Sequence, residues 1–239
     1  MANEKHNYLF LIWRDPESRR NFIIGKLSRC NTFTFEYCQQ YKEALEAGWN
    51  FLEAFPEEKV YESDTLFAVF SGRLPDPKRR DISQILKKYE LQDYDGFELL
   101  RKSTGRLPID TYEFIDPIFP EEETIQRDFY IMGIRHYCGR VTDNCRGLTL
   151  VKLHDLLELV PEPENTYDPH AVKVVTGKEE MVGYIPRYYS EGISGRINKG
   201  MTYSCEVIEI HEDNVCENCI KVRLKIPREE NDVYILKNK

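Results

Sequence analysis

The chain has 239 residues, of which 41% are hydrophobic and 31% charged, a balance typical of a globular protein with room for one large domain or two small ones. No apolar run approaches the roughly 20 residues of a membrane span. The longest one near the start, Tyr8–Trp13, is too short for a secretory signal, so a cytoplasmic protein is expected.

The net charge is −8, with 17 basic against 23 acidic residues up to Glu123 and 16 against 18 beyond it. Neither half is a polycation, so non-specific binding to duplex DNA by charge alone is not expected. A nucleic-acid contact would have to be local and engage few phosphates, as the end of a single strand does. The cysteines Cys30, Cys38, Cys138, Cys145, Cys205, Cys216 and Cys219 are odd in number and irregularly spaced, which argues against a disulfide framework.

In chain order, Tyr8–Trp13 and Phe22–Leu27 read as strands around the turn-rich Asp15-Pro16-Glu17-Ser18, and the alternation of Phe33, Phe35 and Tyr37 predicts a third. The short apolar segment Leu66–Phe70 runs into Gly72-Arg73-Leu74-Pro75-Asp76-Pro77. There Asp76 reads as an N-cap and Pro77 as a first helical residue, followed by Ile82, Ile85, Leu86 and Tyr89 at helical spacing. Asp95 reads as the cap of a second helix carrying Phe97 and Leu100. The first half is therefore α+β. Phe119-Pro120-Glu121-Glu122-Glu123 reads as a boundary.

The second half reads as mostly β. Phe129–Ile134, Leu156–Val160, Ala171–Val175, Met181–Pro186, Thr202–Ile210 and Cys219–Ile226 are the predicted strands, with a hairpin turn at Gly177-Lys178-Glu179-Glu180. Tyr188–Lys199 is a predicted helix ending at Gly200. Short strands with one or two helices predict a small barrel. The expected organisation is an α+β module over 1–120, a β-barrel over 124–227 and a tail over 228–239.

Three segments resemble the HIRAN family, in its order: Met132-Gly133-Ile134-Arg135-His136-Tyr137, then Glu162-Pro163-Glu164-Asn165-Thr166-Tyr167-Asp168-Pro169-His170-Ala171-Val172, then Val182-Gly183-Tyr184-Ile185-Pro186-Arg187. The specific feature is the carboxylate–proline run followed by Asn-x-Tyr-Asp-x-x-Ala. Membership would imply a small β-barrel that binds single-stranded DNA at its 3′ end without performing chemistry. On that reading Tyr137 and Tyr167 offer stacking platforms, Arg135 holds a phosphate and Asn165 addresses a base edge or sugar. Asp168 accepts a hydrogen bond from a free 3′-hydroxyl and repels an internal phosphate. His136 stands where the family usually has a tyrosine, and the stretch between Val141 and Leu153 is long for the family. The alternative reading is structural: Asn165 and Asp168 are natural turn residues, Tyr167 can cover a core and Arg135 can pair with an acidic neighbour.

Leu9–Trp13, Phe33–Tyr37, Thr65–Phe70, Gly72–Asp76, Asp81–Tyr89 and Phe97-Glu98-Leu99-Leu100 follow one another as in the N-terminal subdomain of HipA-type kinases, over about Asn7 to Arg106. That resemblance implies a protein-interaction module, with a HipA-like kinase as partner and an antitoxin-like role as the alternative function; the other reading of this half is a scaffold for the HIRAN-like part. The kinase core is absent.

Other signals are weaker. Cys216-Glu217-Asn218-Cys219 has a chelating spacing without a second close pair, Cys205 and His211 being its nearest companions, so no metal and no cofactor is expected. Lys78-Arg79-Arg80 is a short basic run before a helix. No phosphate-binding loop, metalloprotease motif or nucleophile elbow is present. The expectation is a non-enzymatic DNA-binding protein, with a metal-dependent nuclease as the lesser alternative.

Overall fold

The computed structural model describes residues 7–38, 40–119, 122–137, 150–211 and 219–227. The chain divides into two compact units, Met1–Pro117 and Ile118–Lys239.

The first unit is built on an antiparallel five-stranded sheet in the order β4-β3-β2-β1-β5. The strands are β1 (Tyr8–Arg14), β2 (Asn21–Arg29), β3 (Phe33–Tyr37), β4 (Tyr61–Ser63) and β5 (Tyr112–Ile115). Asp15 turns the chain between β1 and β2, its carboxylate accepting from the Glu17 and Ser18 amides at 3.0 and 3.1 Å. Four helices accompany the sheet: α1 (Tyr41–Glu46), α2 (Ala68–Ser71), α3 (Ile82–Lys88) and α4 (Gly96–Ser103). The core is largely aromatic. Phe35 stacks on Phe55 with centroids 4.4 Å apart, and Phe70 meets Phe114 edge-on at 5.0 Å.

Asp95 caps α4 as predicted, accepting from the Phe97 and Glu98 amides at 2.9 and 3.1 Å, while Arg29 holds both of its oxygens. The helix expected to start at Asp76-Pro77 instead starts at Ile82. The Asp76 carboxylate accepts from the Lys78 amide at 2.7 Å, closing a local turn that competes with helix initiation there. Arg79 of the basic run forms an ion pair with Asp81 at 2.8 Å.

The second unit begins with a stretch bound to its own helix. Its strands are β6 (Ile125–Tyr130), β7 (Glu158–Pro161), β8 (Val172–Val175), β9 (Met181–Tyr184), β10 (Ser204–Ile210) and β11 (Ile220–Ile226). Two helices are described, α5 (Ile134–Tyr137) and α6 (Arg187–Asn198). Arg196 of α6 donates to the Phe119 and Glu122 carbonyls at 2.7 and 2.9 Å, and Glu122 pairs with Arg127 at 3.0 Å. The part of the acidic run that is described is thus tied down by charge. Along α6 the buried Tyr189 and Ile193 share one face four residues apart, and Gly200 ends the helix at φ +77°.

The strands form two three-stranded sheets, β10-β11-β6 and β7-β8-β9. They do not form the closed barrel expected from the sequence. The sheet edges meet at two short seams, around Met132↔Tyr184 and Leu156↔Glu206, without a continuous ladder. The reason is local. After Met132 the chain turns away at Gly133, φ +73°, and ahead of Leu156 it is bent by His154 at φ +70°. The predicted strand Phe129–Ile134 is split by the same turn: β6 stops at Tyr130, and Ile134 already belongs to α5. Val172, Val174, Val182, Ile193, Val222 and Leu224 form the core between the sheets and α6, all fully buried. Among the described residues no helix is long and apolar enough to cross a membrane.

Candidate nucleic-acid interface

The three segments singled out in the sequence converge on one residue, Tyr184. Hairpin register begins the explanation. β8 and β9 pair antiparallel with Lys173 directly opposite Tyr184 and Val174 opposite Gly183. Val174 and Gly183 therefore face the core, while Lys173 and Tyr184 face outward together. Gly183 is buried, and a Cβ there would run into the Met132 carbonyl and the Ile131 side chain. The missing side chain lets the end of the first segment lie directly on β9. Ile131 still donates to Ile220 of β11 at 3.0 Å, and one residue later Met132 exchanges two backbone bonds with Tyr184 at 2.8 and 2.9 Å. The chain thus passes from one sheet to the other within two residues, then turns at Gly133 into α5.

That turn sets the positions of Arg135, His136 and Tyr137, all exposed. Arg135 Nε donates to His136 Nε2 at 3.1 Å. The Tyr137 ring meets the Tyr184 ring edge-on at 5.8 Å, and Tyr137 remains 43% exposed. Tyr184 in turn donates from its hydroxyl to Glu162 Oε2 at 2.7 Å. Burial, with the Tyr137 and Glu162 contacts added, raises the Tyr184 hydroxyl pKa above its ordinary value.

Glu162 opens the loop between β7 and β8. Its Oε2 also accepts from Asn165 Nδ2 at 2.7 Å, and its Oε1 is ion-paired with Lys173. The Asn165 amide, the Lys173 ammonium and the Tyr184 hydroxyl together hold the Glu162 carboxyl down at about 2. The loop is closed by backbone bonds from the Glu162 amide to Ala171, the Asn165 amide to Glu162 and the Ala171 amide to Asp168, at 2.8, 3.0 and 2.9 Å. Asn165 Oδ1 accepts from the Tyr167 and Asp168 amides at 2.9 and 3.1 Å. Asn165 is therefore the organiser of this turn, and its oxygen is committed to the backbone.

Tyr167 projects from the turn at 87% exposure, with no side-chain partner among the described residues. It covers no core. Asp168 is half-buried; its Oδ1 accepts from the His170 amide at 2.9 Å, and its Oδ2 accepts no hydrogen bond among the described residues. The six residues expected to form a site, Arg135, His136, Tyr137, Asn165, Tyr167 and Asp168, thus belong to two short stretches joined through Tyr184 and Glu162. Sequence reasoning assigned no role to Glu162, Tyr184 or Lys173. For the last two a signal existed, since the alternation of β8 and the hairpin turn place Lys173 and Tyr184 on one outer face.

The chelating pair falls partly outside the described residues, which do not include Cys216. Cys219 and Cys205 are buried in the core, where burial pushes the Cys205 thiol up to about 12. The long stretch after Val141 likewise lies outside them up to residue 149.

Against known proteins, residues 126–227 match the HIRAN domain family. No curated protein matches the chain. Among solved structures, the crystal structure of the HIRAN domain of human HLTF is 18% identical over 43% of this chain and 74% of its own, with a TM-score of 0.34. A Lactobacillus plantarum protein is 21% identical over 43% of this chain and 96% of its own, also at 0.34. The solution structure of the HLTF HIRAN domain in its DNA-bound conformation is 21% identical over 45% of this chain and 78% of its own, at 0.30. Nothing in the comparisons supports the resemblance of the first unit to HipA-type kinases. The three motif segments that converge on Tyr184 all lie within the stretch, residues 126–227, that matches the HIRAN domain family.

Proposed function

We propose that the HIRAN domain of this chain binds single-stranded DNA, recognises its free 3′ end and performs no chemistry on it. The observation that carries this reading is the junction of Tyr137 with the Asn165–Asp168 turn through Tyr184 and Glu162, which presents two exposed aromatic rings and an open carboxylate oxygen from one braced framework. An exposed tyrosine ring stacks on any base, at about 1–3 kcal/mol per base. Arg135 supplies the charge for a phosphate and His136 a further planar face. Asp168 Oδ2 accepts from a 3′-hydroxyl and opposes a phosphate at the same position by like charge. Asn165 contributes by shaping the turn. The first unit serves as a protein-interaction module in this reading.

The test is fluorescence anisotropy of the full chain with 5′-labelled oligonucleotides ending in a 3′-hydroxyl or a 3′-phosphate, and with blunt duplex. The 3′-hydroxyl single strand is expected to bind tightest. Equal affinity for both single strands removes end recognition, and failure to bind either removes DNA as the ligand.

A further inference from the structure

Glu162 joins three stretches of chain through one carboxylate. Its Oε2 receives both the Tyr184 hydroxyl and the Asn165 amide at 2.7 Å, while its Oε1 faces Lys173. The proton inventory makes the arrangement directional. Tyr184 has a single hydroxyl proton and gives it to Glu162, so this one bond orients the ring against which Tyr137 packs edge-on. Asn165 spends Nδ2 on Glu162 and Oδ1 on the Tyr167 and Asp168 amides, so the same oxygen that orients Tyr184 also orients the turn.

We propose that Glu162 is the positioning residue of the site: its Oε2 locks the Tyr184–Tyr137 pair to the Asn165–Asp168 turn, without itself touching DNA. The consequence for affinity rests on the DNA-binding reading above, whereas the locking itself does not. The locking separates the roles of the two carboxylates. Asp168 keeps an open acceptor, while both oxygens of Glu162 are occupied from within the protein.

The experiment uses the full chain and the variants Glu162→Gln, Glu162→Ala, Tyr184→Phe and the Glu162→Ala/Tyr184→Phe pair. Each is checked by thermal melt. The two readouts are affinity for the 3′-hydroxyl oligonucleotide and the NMR signals of the Tyr137 ring and the Asp168 amide in the absence of DNA. Glu162→Gln can place its carbonyl where Oε2 sits and loses only the Lys173 arm. It is expected to keep both signals and to bind within about threefold of the parent, because neutral acceptors replace charged ones at a modest loss. Glu162→Ala is expected to shift both signals and to bind about tenfold or more weakly, since it removes two hydrogen bonds to a charged group. Tyr184→Phe should shift Tyr137 but not Asp168, and the double variant should bind no more weakly than Glu162→Ala.

Damage from Glu162→Gln equal to that from Glu162→Ala would overturn the proposal, because it would make the Lys173 ion pair the operative contact. A folded Glu162→Ala with unchanged Tyr137 and Asp168 signals would overturn it as well. If the parent binds no oligonucleotide yet Glu162→Ala moves both signals, the locking stands and the DNA reading falls. If Glu162→Ala does not fold, Tyr184→Phe decides, and an unmoved Tyr137 signal counts against the proposal.

Discussion

At the scale of single residues, Tyr167 and Asp168 are neighbours with opposite surroundings, and their variants should separate stacking from end selection. Tyr167 is 87% exposed and holds no part of the fold with its ring. Tyr167→Ala is therefore expected to leave the melting temperature unchanged while weakening single-strand binding by about 1–3 kcal/mol, as lost base stacking does. Asp168→Asn should keep binding to internal single strands and lose preference for a 3′-hydroxyl over a 3′-phosphate, because it removes the like charge that opposes phosphate. Competition anisotropy with the two oligonucleotides reads both effects. Retained discrimination in a folded Asp168→Asn would show that the carboxylate does not select the end. Glu162 adds a pH signature. Its carboxyl sits at about 2 in the folded chain against an ordinary 4.5, a depressed value. Its contribution to stability is therefore full above about 4.5 and is lost as pH falls toward about 2. The difference in melting temperature between the parent and Glu162→Gln should be constant above that window and shrink within it. A difference that stayed level down to acid pH would contradict the assignment.

At the scale of elements, the β8–β9 hairpin is the frame on which the candidate site is hung. Its register puts Lys173 and Tyr184 outward, and its glycine admits the Met132 strand end. Gly183→Ala is expected to destabilise the fold by about 1–3 kcal/mol, the cost of forcing a methyl group into a packed seam. Affinity should fall further than the stability loss alone explains, because the seam also places α5. Chemical denaturation alongside anisotropy checks this, and a variant of parental stability would mean that the seam relaxes freely. The first unit illustrates how local hydrogen bonding decides an element's start. Asp76 and Asp95 are both credible caps in the sequence. Asp95 accepts from two helix amides and is braced by Arg29, whereas Asp76 closes its own turn.

At the scale of the whole molecule, the charge of −8 limits how the protein can hold DNA. Since neither half of the sequence is a polycation, binding should depend on a few local contacts. Engagement of two or three phosphates by residues such as Arg135 predicts a log affinity against log salt slope of about −2 on single strands. Anisotropy across a salt series measures it, and a slope several times steeper would point to an extended electrostatic groove. The sequence by itself determined most of the strands, α4 with its cap, α6 with its terminal glycine, and the two stretches of the proposed site, because alternation, capping and turn chemistry act over a few residues. It also contained the HIRAN signature, since Asn165 and its turn are built from adjacent positions. Only the tertiary structure decided that the strands of the second unit form two sheets with short seams, since the bends at Gly133 and His154 end pairing between strands far apart in sequence. Only it made Asn165 a turn organiser and Glu162 the link to Tyr184, 22 residues away. Hydrogen bonds at such separations depend on strand register and on the room left by one glycine, which are fixed when the chain packs.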